Sequence, residues 1–355
     1  MRGKLRHTDG RVHSIEGEPA TQDSVLQSGL PLHLPGFVDL HVHGGGGHDV
    51  MAGGAAVQHI ARLHARHGTT SMLATTMTAP RQEIETALRD LKPWLAQPQP
   101  DGARVLGVHL EGPFINPQKL GAQPDFASTA TLQDVESLHQ LAPIRLITMA
   151  PELPGHLALI VQLRAAGFVV QIGHSNGSYE DGVAALRSGA SGFTHLFNAM
   201  SAFHHRAPGM AGAALAHAQS AEIIPDLLHV HPGAIRAALR CIPGLYCVTD
   251  STAAAGMPDG DYMLGRQPVS KCLGGVRLAD GTLAGSTLTM DQALRNLVGL
   301  GLGLIEASSR TATLAAQHLG LSDRGVLVPG AWADVVTLDT ALQVQQVHAE
   351  GRRLI

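Results

Sequence analysis

Pro35-Gly36-Phe37-Val38-Asp39-Leu40-His41-Val42-His43 decides how this 355-residue chain is read. The apolar run that ends there reads as a buried strand, and residues i and i+2 of a strand face the same way. His41 and His43 can therefore aim two imidazoles at one point. Gly44 to Gly47 follow, a loop with no side chains to crowd that point. A strand that closes on converging ligands at a loop is how a (β/α) barrel begins its active face. Taken alone, His-x-His reads equally well as two surface histidines on a turn, so the flanking chain has to decide.

Downstream, strands alternate with helices. Residues 55 to 67 carry apolar side chains at helical spacing (Val57, Ile60, Leu63), with Gly68 just past the end. Strand patterns recur at 69 to 76, 105 to 110, 144 to 149, 168 to 172, 192 to 195, within 221 to 229, and at 245 to 249. Helical patterns fall between them, one opened by Pro232 at its first turn, where a missing N–H costs nothing. The eight βα units predict an α/β fold: a (β/α)8 TIM-type barrel over residues 34–324. Both ends of the chain are strand-rich. Residues 1–33, with a hairpin signal at Asp9-Gly10, and residues 325–355 are therefore expected to form a small β-sandwich domain beside the barrel. Residues 289 to 299 and 305 to 319 read as helices, and 325 to 338 as alternating strands.

Composition narrows the function classes. Hydrophobic residues make up 44% and charged residues 15%, which suits a compact enzyme rather than a disordered chain. The net charge is -4 with no Lys/Arg cluster, which argues against nucleic acid as a partner. No stretch is long enough to span a bilayer, and the first residues have no apolar signal core, so no membrane is expected. Cys241, Cys247 and Cys272 have neither metal nor redox spacing, and a reduced cytoplasmic setting is the simplest reading.

The polar residues at the strand ends are His41 and His43, Glu111, His174, His195 and Asp250. Imidazole nitrogen and carboxylate oxygen are ligands for zinc or iron. Their separations are too long for a local metal finger, and only a barrel brings them together. Each has an ordinary reading by itself, such as a turn residue for His174 or a solvated carboxylate for Glu111. Their joint placement at strand ends makes coincidence a poor account.

Several segments then resemble, in order, those of the N-acetylglucosamine-6-phosphate deacetylases of the amidohydrolase superfamily. They are Pro35 to His43, His109-Leu110-Glu111-Gly112-Pro113-Phe114, Gly173-His174-Ser175, Thr194-His195-Leu196-Phe197-Asn198-Ala199-Met200, Val248-Thr249-Asp250 and Leu283-Ala284-Gly285-Ser286. The resemblance spans essentially the whole chain. It implies that Glu111, His174 and His195 form the principal metal site. His41 and His43 match a second metal position that only some members fill, with Asp250 as a further candidate ligand there. The implied cofactor is a divalent metal, one or two ions per chain, with Zn2+ first and Fe2+, Mn2+ or Co2+ as alternatives. Asp250 is implied as the catalytic general base and then acid, with metal-bound hydroxide as the nucleophile on an acetamide carbonyl. Ala122, Asn198, Ala199, Leu283, Ala284 and Gly285 match substrate contacts, and Arg206 and His229 match contacts to a phosphate.

In the family that arginine reaches a neighbouring site, so a homodimer is expected. The implied substrate is N-acetyl-D-glucosamine 6-phosphate. Other amidohydrolase substrates, such as N-acetylgalactosamine 6-phosphate, an N-acyl amino acid or a cyclic amide, are the alternatives. A sugar-phosphate-binding barrel without catalysis is a further one. The chain departs from the common pattern at Gln123, where many members have histidine, at Leu227 for a glycine, and at His231 for an aspartate. His48, His59, His64, His67, His204, His205 and His217 read as solvated or helix-surface residues.

Overall fold

The computed structural model describes residues 2–97 and 100–355. Eight short parallel strands occupy the centre: Phe37–Asp39, Thr69–Thr76, Arg104–Glu111, Ile144–Met149, Val169–Ile172, Gly192–Phe193, Ser220–Ile223 and Gly244–Cys247. The first six form one sheet in chain order, and the seventh pairs with the eighth. The joints between these sheets are made at the strand ends. Leu196 N–H donates to the Glu222 carbonyl at 2.9 Å, and Asp250 N–H to the His41 carbonyl at 2.9 Å. The curled sheet thereby closes, and the expected α/β barrel is found.

Helices follow the strands because apolar residues recur at three- and four-residue spacing. Ala56–Arg66 buries Val57, Ile60, Ala61, His64 and Ala65 along one stripe. Thr131 with Asp134 and Ser178 with Asp181 form capping boxes that start two of the outer helices. The helix Pro232–Cys241 begins as Pro232 predicts. Its cap is His231, whose Nδ1 accepts the Gly233 N–H at 3.0 Å, so a histidine here does the capping work of an aspartate.

The sixth and eighth strands are shorter than the pattern suggests. Their continuations, His195 and Asp250, adopt positive φ of 27° and 50°, which turns the backbone out of the ladder. His64, expected on a helix surface, is fully buried. It lies on the inward stripe, and its Nε2 meets the Gly44 carbonyl and Ser251 Oγ, both at 3.1 Å.

The chain ends meet beside the barrel. Leu32–Pro35 pairs antiparallel with Val335–Leu338, which pairs with Val344–Ala349 and through it with Arg352–Arg353. The hairpin Arg2–Thr8/Arg11–Glu18 turns at Asp9-Gly10, both at positive φ as a two-residue hairpin turn requires. It joins the tail through Val12 N–H to the Ala331 carbonyl at 2.8 Å. Of the expected tail strands, only 335 to 338 forms, because Pro329-Gly330 opens a turn that breaks the alternation.

Two features had no counterpart in the sequence reading. Gly260–Leu264, Gln267–Cys272 and Gly275–Arg277 form a three-stranded antiparallel sheet over the barrel mouth. The helix expected at 305 to 319 contains a π-helical turn, Ser309–Thr313, where buried Arg310 donates to the Leu245 carbonyl at 2.8 Å.

Candidate metal centre and active site

The strand-end residues converge at the C-terminal mouth of the barrel. Glu111 lies at the centre and touches four imidazoles. Its Oε1 is 3.2 Å from His174 Nε2, 3.1 Å from His195 Nε2 and 3.5 Å from His41 Nε2. Its Oε2 is 3.1 Å from His43 Nε2. Asp250 Oδ1 is 3.3 Å from both His41 and His43 Nε2. Two groups thus offer converging ligand atoms, Glu111–His174–His195 and His41–His43–Asp250. All six residues are buried.

The donor chemistry of these groups fits a divalent cation. His174 Nδ1 lies 2.8 Å from the Lys119 carbonyl, and His41 Nδ1 lies 3.0 Å from a Glu222 carboxylate oxygen. Those acceptors assign the proton to Nδ1 and leave a lone pair on each Nε2. Yet His174 Nε2 also stands 3.1 Å from His195 Nε2, and His41 Nε2 3.1 Å from His43 Nε2, with carboxylates as near. Where both rings of a pair carry their proton on Nδ1, the facing Nε2 lone pairs repel one another unless positive charge lies between them. The electrostatics points the same way. Burial opposes charge on His41, but the charges of Glu111, Asp250 and Glu222 overcome it and push this histidine well above its usual range. His43 rises to about 9 against its burial, through its bonds to Asp250 and Glu111. Burial would raise Asp250, but His41 and His43 hold it down at about 2. The site is an anionic pit that calls for a cation.

Backbone strain is concentrated here too. Among the described residues ten non-glycine residues take positive φ, and six of them lie around the mouth: His174, His195, Phe197, Ala199, Leu227 and Asp250. Side chains at such φ are costly and cluster where a site imposes them. Gly285, at φ 60°, is the converse case. A Cβ there would stand 2.6 Å from Thr252 and 2.9 Å from the Asp250 carbonyl, so only glycine lets this loop close over the aspartate.

A cavity of about 200 Å³ opens above the ligands. Ala122, Asn198, Ala199, His229, Leu283 and Gly285 line it together with Asp250. Ala284 does not. It is fully buried and packs with Met77 and Leu264 behind the wall. Arg206 is exposed, and among the described residues its Nη1 meets the neighbouring His205 Nε2, at 2.8 Å. It lies outside the lining of this chain's cavity.

Two supporting residues, Asp39 and Glu222, escaped the sequence reading, and a third, Gln123, entered it only as a departure from the family pattern. Gln123 Nε2 donates to Glu111 Oε2 at 2.6 Å while its Oε1 accepts the Thr78 N–H at 2.7 Å, so it fixes the central carboxylate. Asp39 accepts from Thr249 Oγ1 at 2.6 Å and ties the eighth strand's end to the first. Burial, against the bonds from Thr249, raises Asp39 to about 7. Glu222 sits on the seventh strand beneath His41. A carboxylate inside an otherwise apolar strand, as in Ala221-Glu222-Ile223-Ile224, was the available signal for Glu222, and equally for Asp39. His41, His109 and Glu222 also cluster, but His109 is already bound on both nitrogens, to Thr148 Oγ1 at 2.8 Å and Thr75 Oγ1 at 3.4 Å. Burial and the nearby His41 charge lower His109 to about 3, so it stays neutral.

Residues 32–353 match the model of the amidohydrolase family. The chain belongs to that family. Within it, the chain is 40% identical over 354 residues to an N-acetylglucosamine-6-phosphate deacetylase of Lysinibacillus sphaericus, covering 97% of this chain and 91% of that protein. It is 39% identical to an N-acetylgalactosamine-6-phosphate deacetylase of Escherichia coli O157:H7, covering 98% and 94%. Among solved amidohydrolases, the N-acetyl-D-glucosamine-6-phosphate deacetylase of Mycobacterium smegmatis superposes with a TM-score of 0.90 at 33% identity, covering 99% and 94%. That structure is of an aspartate-to-alanine variant in complex with N-acetyl-D-glucosamine-6-phosphate. The Thermotoga maritima N-acetylglucosamine-6-phosphate deacetylase superposes equally well, with a TM-score of 0.90 at 30% identity. No helix among the described residues is long and apolar enough to cross a membrane.

Proposed function

We propose that the chain hydrolyses the acetamide of N-acetyl-D-glucosamine 6-phosphate to D-glucosamine 6-phosphate and acetate. The observation that carries the reading is the Glu111–His174–His195 group set against Asp250 under one cavity, in a chain similar to such deacetylases over almost its full length. Glu111, His174 and His195 would hold a divalent cation, which would supply a Lewis acid for the amide carbonyl and lower the pKa of water from 15.7 towards roughly 7. Zinc suits the mixed nitrogen and oxygen donors best. His41 and His43, with Asp250, would hold a second ion.

Asp250 acts as the base and then the acid. Its carboxylate is ionised at neutral pH, lines the cavity, and accepts the proton of the attacking water. It then passes that proton to the departing nitrogen, because an amide nitrogen leaves poorly as an anion. Asn198, Ala199, Ala122, Leu283 and Gly285 seat the sugar. His229 faces the phosphate from within the chain. Its Nδ1 is held by Asp226 Oδ2 at 2.7 Å, which leaves Nε2 for the ligand.

Arg206 serves the phosphate of a partner's site. Its exposure and its place outside the cavity lining support a homodimer in which the 201–208 loop crosses between protomers. The division into a barrel, residues 34–324, and a terminal β domain belongs to the same proposal, as does a cytoplasmic setting. The pairing of Leu32–Pro35 with Val335–Leu338 supports that division.

The test is acetate release from N-acetylglucosamine 6-phosphate, N-acetylgalactosamine 6-phosphate and unphosphorylated N-acetylglucosamine, with metal assayed on the same sample. Fast, phosphate-dependent turnover of the first supports the reading. Preference for the second would establish the galacto epimer, which the 39% identical relative keeps in view. No turnover of any of the three by metal-loaded protein would discard the substrate.

A further inference from the structure

We infer that Glu222 is the positioning residue of the His41–His43 metal position. The inference rests on the reading that this position holds a cation.

Glu222 is fully buried, and both of its oxygens are engaged. Oε2 faces His41 Nδ1 at 3.0 Å and also accepts the His195 N–H at 3.1 Å. Oε1 accepts from the Tyr246 hydroxyl at 3.3 Å, and that hydroxyl is itself held by Gln171 Nε2 at 2.6 Å. The Glu222 carbonyl receives the Leu196 N–H at 2.9 Å. One residue of the seventh strand therefore grips the strained turn at His195 from both sides and aims His41 from below.

The chemistry of that grip is specific. A carboxylate on Nδ1–H fixes the tautomer that frees Nε2, sets the ring plane, and makes the imidazole a stronger donor. Among the described residues His43 Nδ1 has no hydrogen-bond partner, so His41 is the ring through which this position is held. A third metal site at Glu222 is excluded by the geometry, since Nδ1 of His41 is hydrogen-bonded to it and His109 spends both nitrogens on threonine hydroxyls.

The test equilibrates wild type and Glu222→Gln against buffered free Zn2+ and counts bound metal per chain by elemental analysis. Glutamine keeps the shape and can still accept from His41 and donate to Tyr246, but it carries no charge. The wild type should show two affinity classes, and the variant should weaken only the second, by about 10- to 100-fold. Two unchanged classes in the variant would overturn the positioning role and leave the two-metal reading standing. Equal weakening of both classes would make Glu222 merely structural and overturn the inference. A single class in the wild type would overturn both. If Glu222→Gln does not fold, Tyr246→Phe removes the donor to Oε1, together with the acceptor of Gln171 Nε2, and leaves the Glu222 charge in place. It should weaken the second class several-fold, and no change there would equally overturn the role.

Discussion

In the Glu111–His174–His195 group the anchored ring is His174, whose Nδ1 meets the Lys119 carbonyl at 2.8 Å. In the His41–His43 group it is His41, whose Nδ1 meets the Glu222 carboxylate at 3.0 Å. The other ring of each, His195 and His43, has an Nδ1 with no partner among the described residues. The plan is shared and the anchors differ. Lys119 belongs to a short turn, Pro117–Lys119, at the barrel's rim, and offers a neutral carbonyl. Glu222 is part of the barrel wall and offers a full charge. The principal position therefore depends on how the loop after the third strand folds. The second depends on a charge committed inside the core.

Glu111 belongs to the first group and also touches both rings of the second, so its removal should erase the comparison. Glu111→Gln is expected to lower kcat/KM on the order of 10^3-fold or more, since several kcal/mol of charge stabilisation goes with the metal. Metal per chain should fall in the same preparation, and retention of two ions would break the shared-ligand account. Asp250→Asn comes next. General acid–base catalysis is worth roughly 10^2- to 10^4-fold, and kcat should drop by that much while the principal metal stays bound. Activity near wild type would remove Asp250 from the chemistry. His41→Asn should separate the two positions. It is expected to cost the second ion and about 10- to 100-fold in kcat/KM, with one ion retained, measured by elemental analysis beside the rate.

The legible part of the molecule was its strand ends. A ligand that must face the mouth has to end a strand, and that position shows in the pattern. His41, His43, Glu111, His174, His195 and Asp250 all fall together, at contacts of 3.1 to 3.5 Å between neighbouring ligand atoms. What was hidden depends on long-range packing. Glu222 meets His41 from 181 residues away, and Asp39 meets Thr249 from 210 away, and no local spacing encodes such pairings. His64 misled because an amphipathic stripe shows which residues share a face but not that a histidine on it will find Gly44 and Ser251. The strand lengths misled because His195 and Asp250 take positive φ, which a periodic reading of side chains does not register.

Arg206 and His229 extend the comparison to the phosphate end, where one contact is expected from outside the chain and one from within. Arg206→Ala should raise KM for the phosphorylated substrate about 10-fold, because a hydrogen bond to a charged group is worth roughly 1.5–3 kcal/mol. KM for unphosphorylated N-acetylglucosamine should not move. Equal change for both would mean that Arg206 shapes the loop rather than the phosphate contact.

The smallest effect is carried by pH. Burial works to lower His229, but its bond to Asp226 and that carboxylate's charge outweigh the loss and raise it above the ordinary value of 6.5. Its folded pKa therefore lies above its unfolded one. The stabilisation from this pair is complete below the ordinary histidine value and is lost as pH rises through the raised one. The same titration removes the positive charge that faces the phosphate, so KM for the phosphorylated substrate should climb a few-fold over that window. Asp226→Asn leaves a buried histidine without its anion, so the climb should start at lower pH and approach the plateau near neutrality. The profile is read as KM against pH for phosphorylated and unphosphorylated substrate side by side. A rise shared by both would place the titration at the metal groups, and a profile that Asp226→Asn leaves in place would detach His229 from the phosphate.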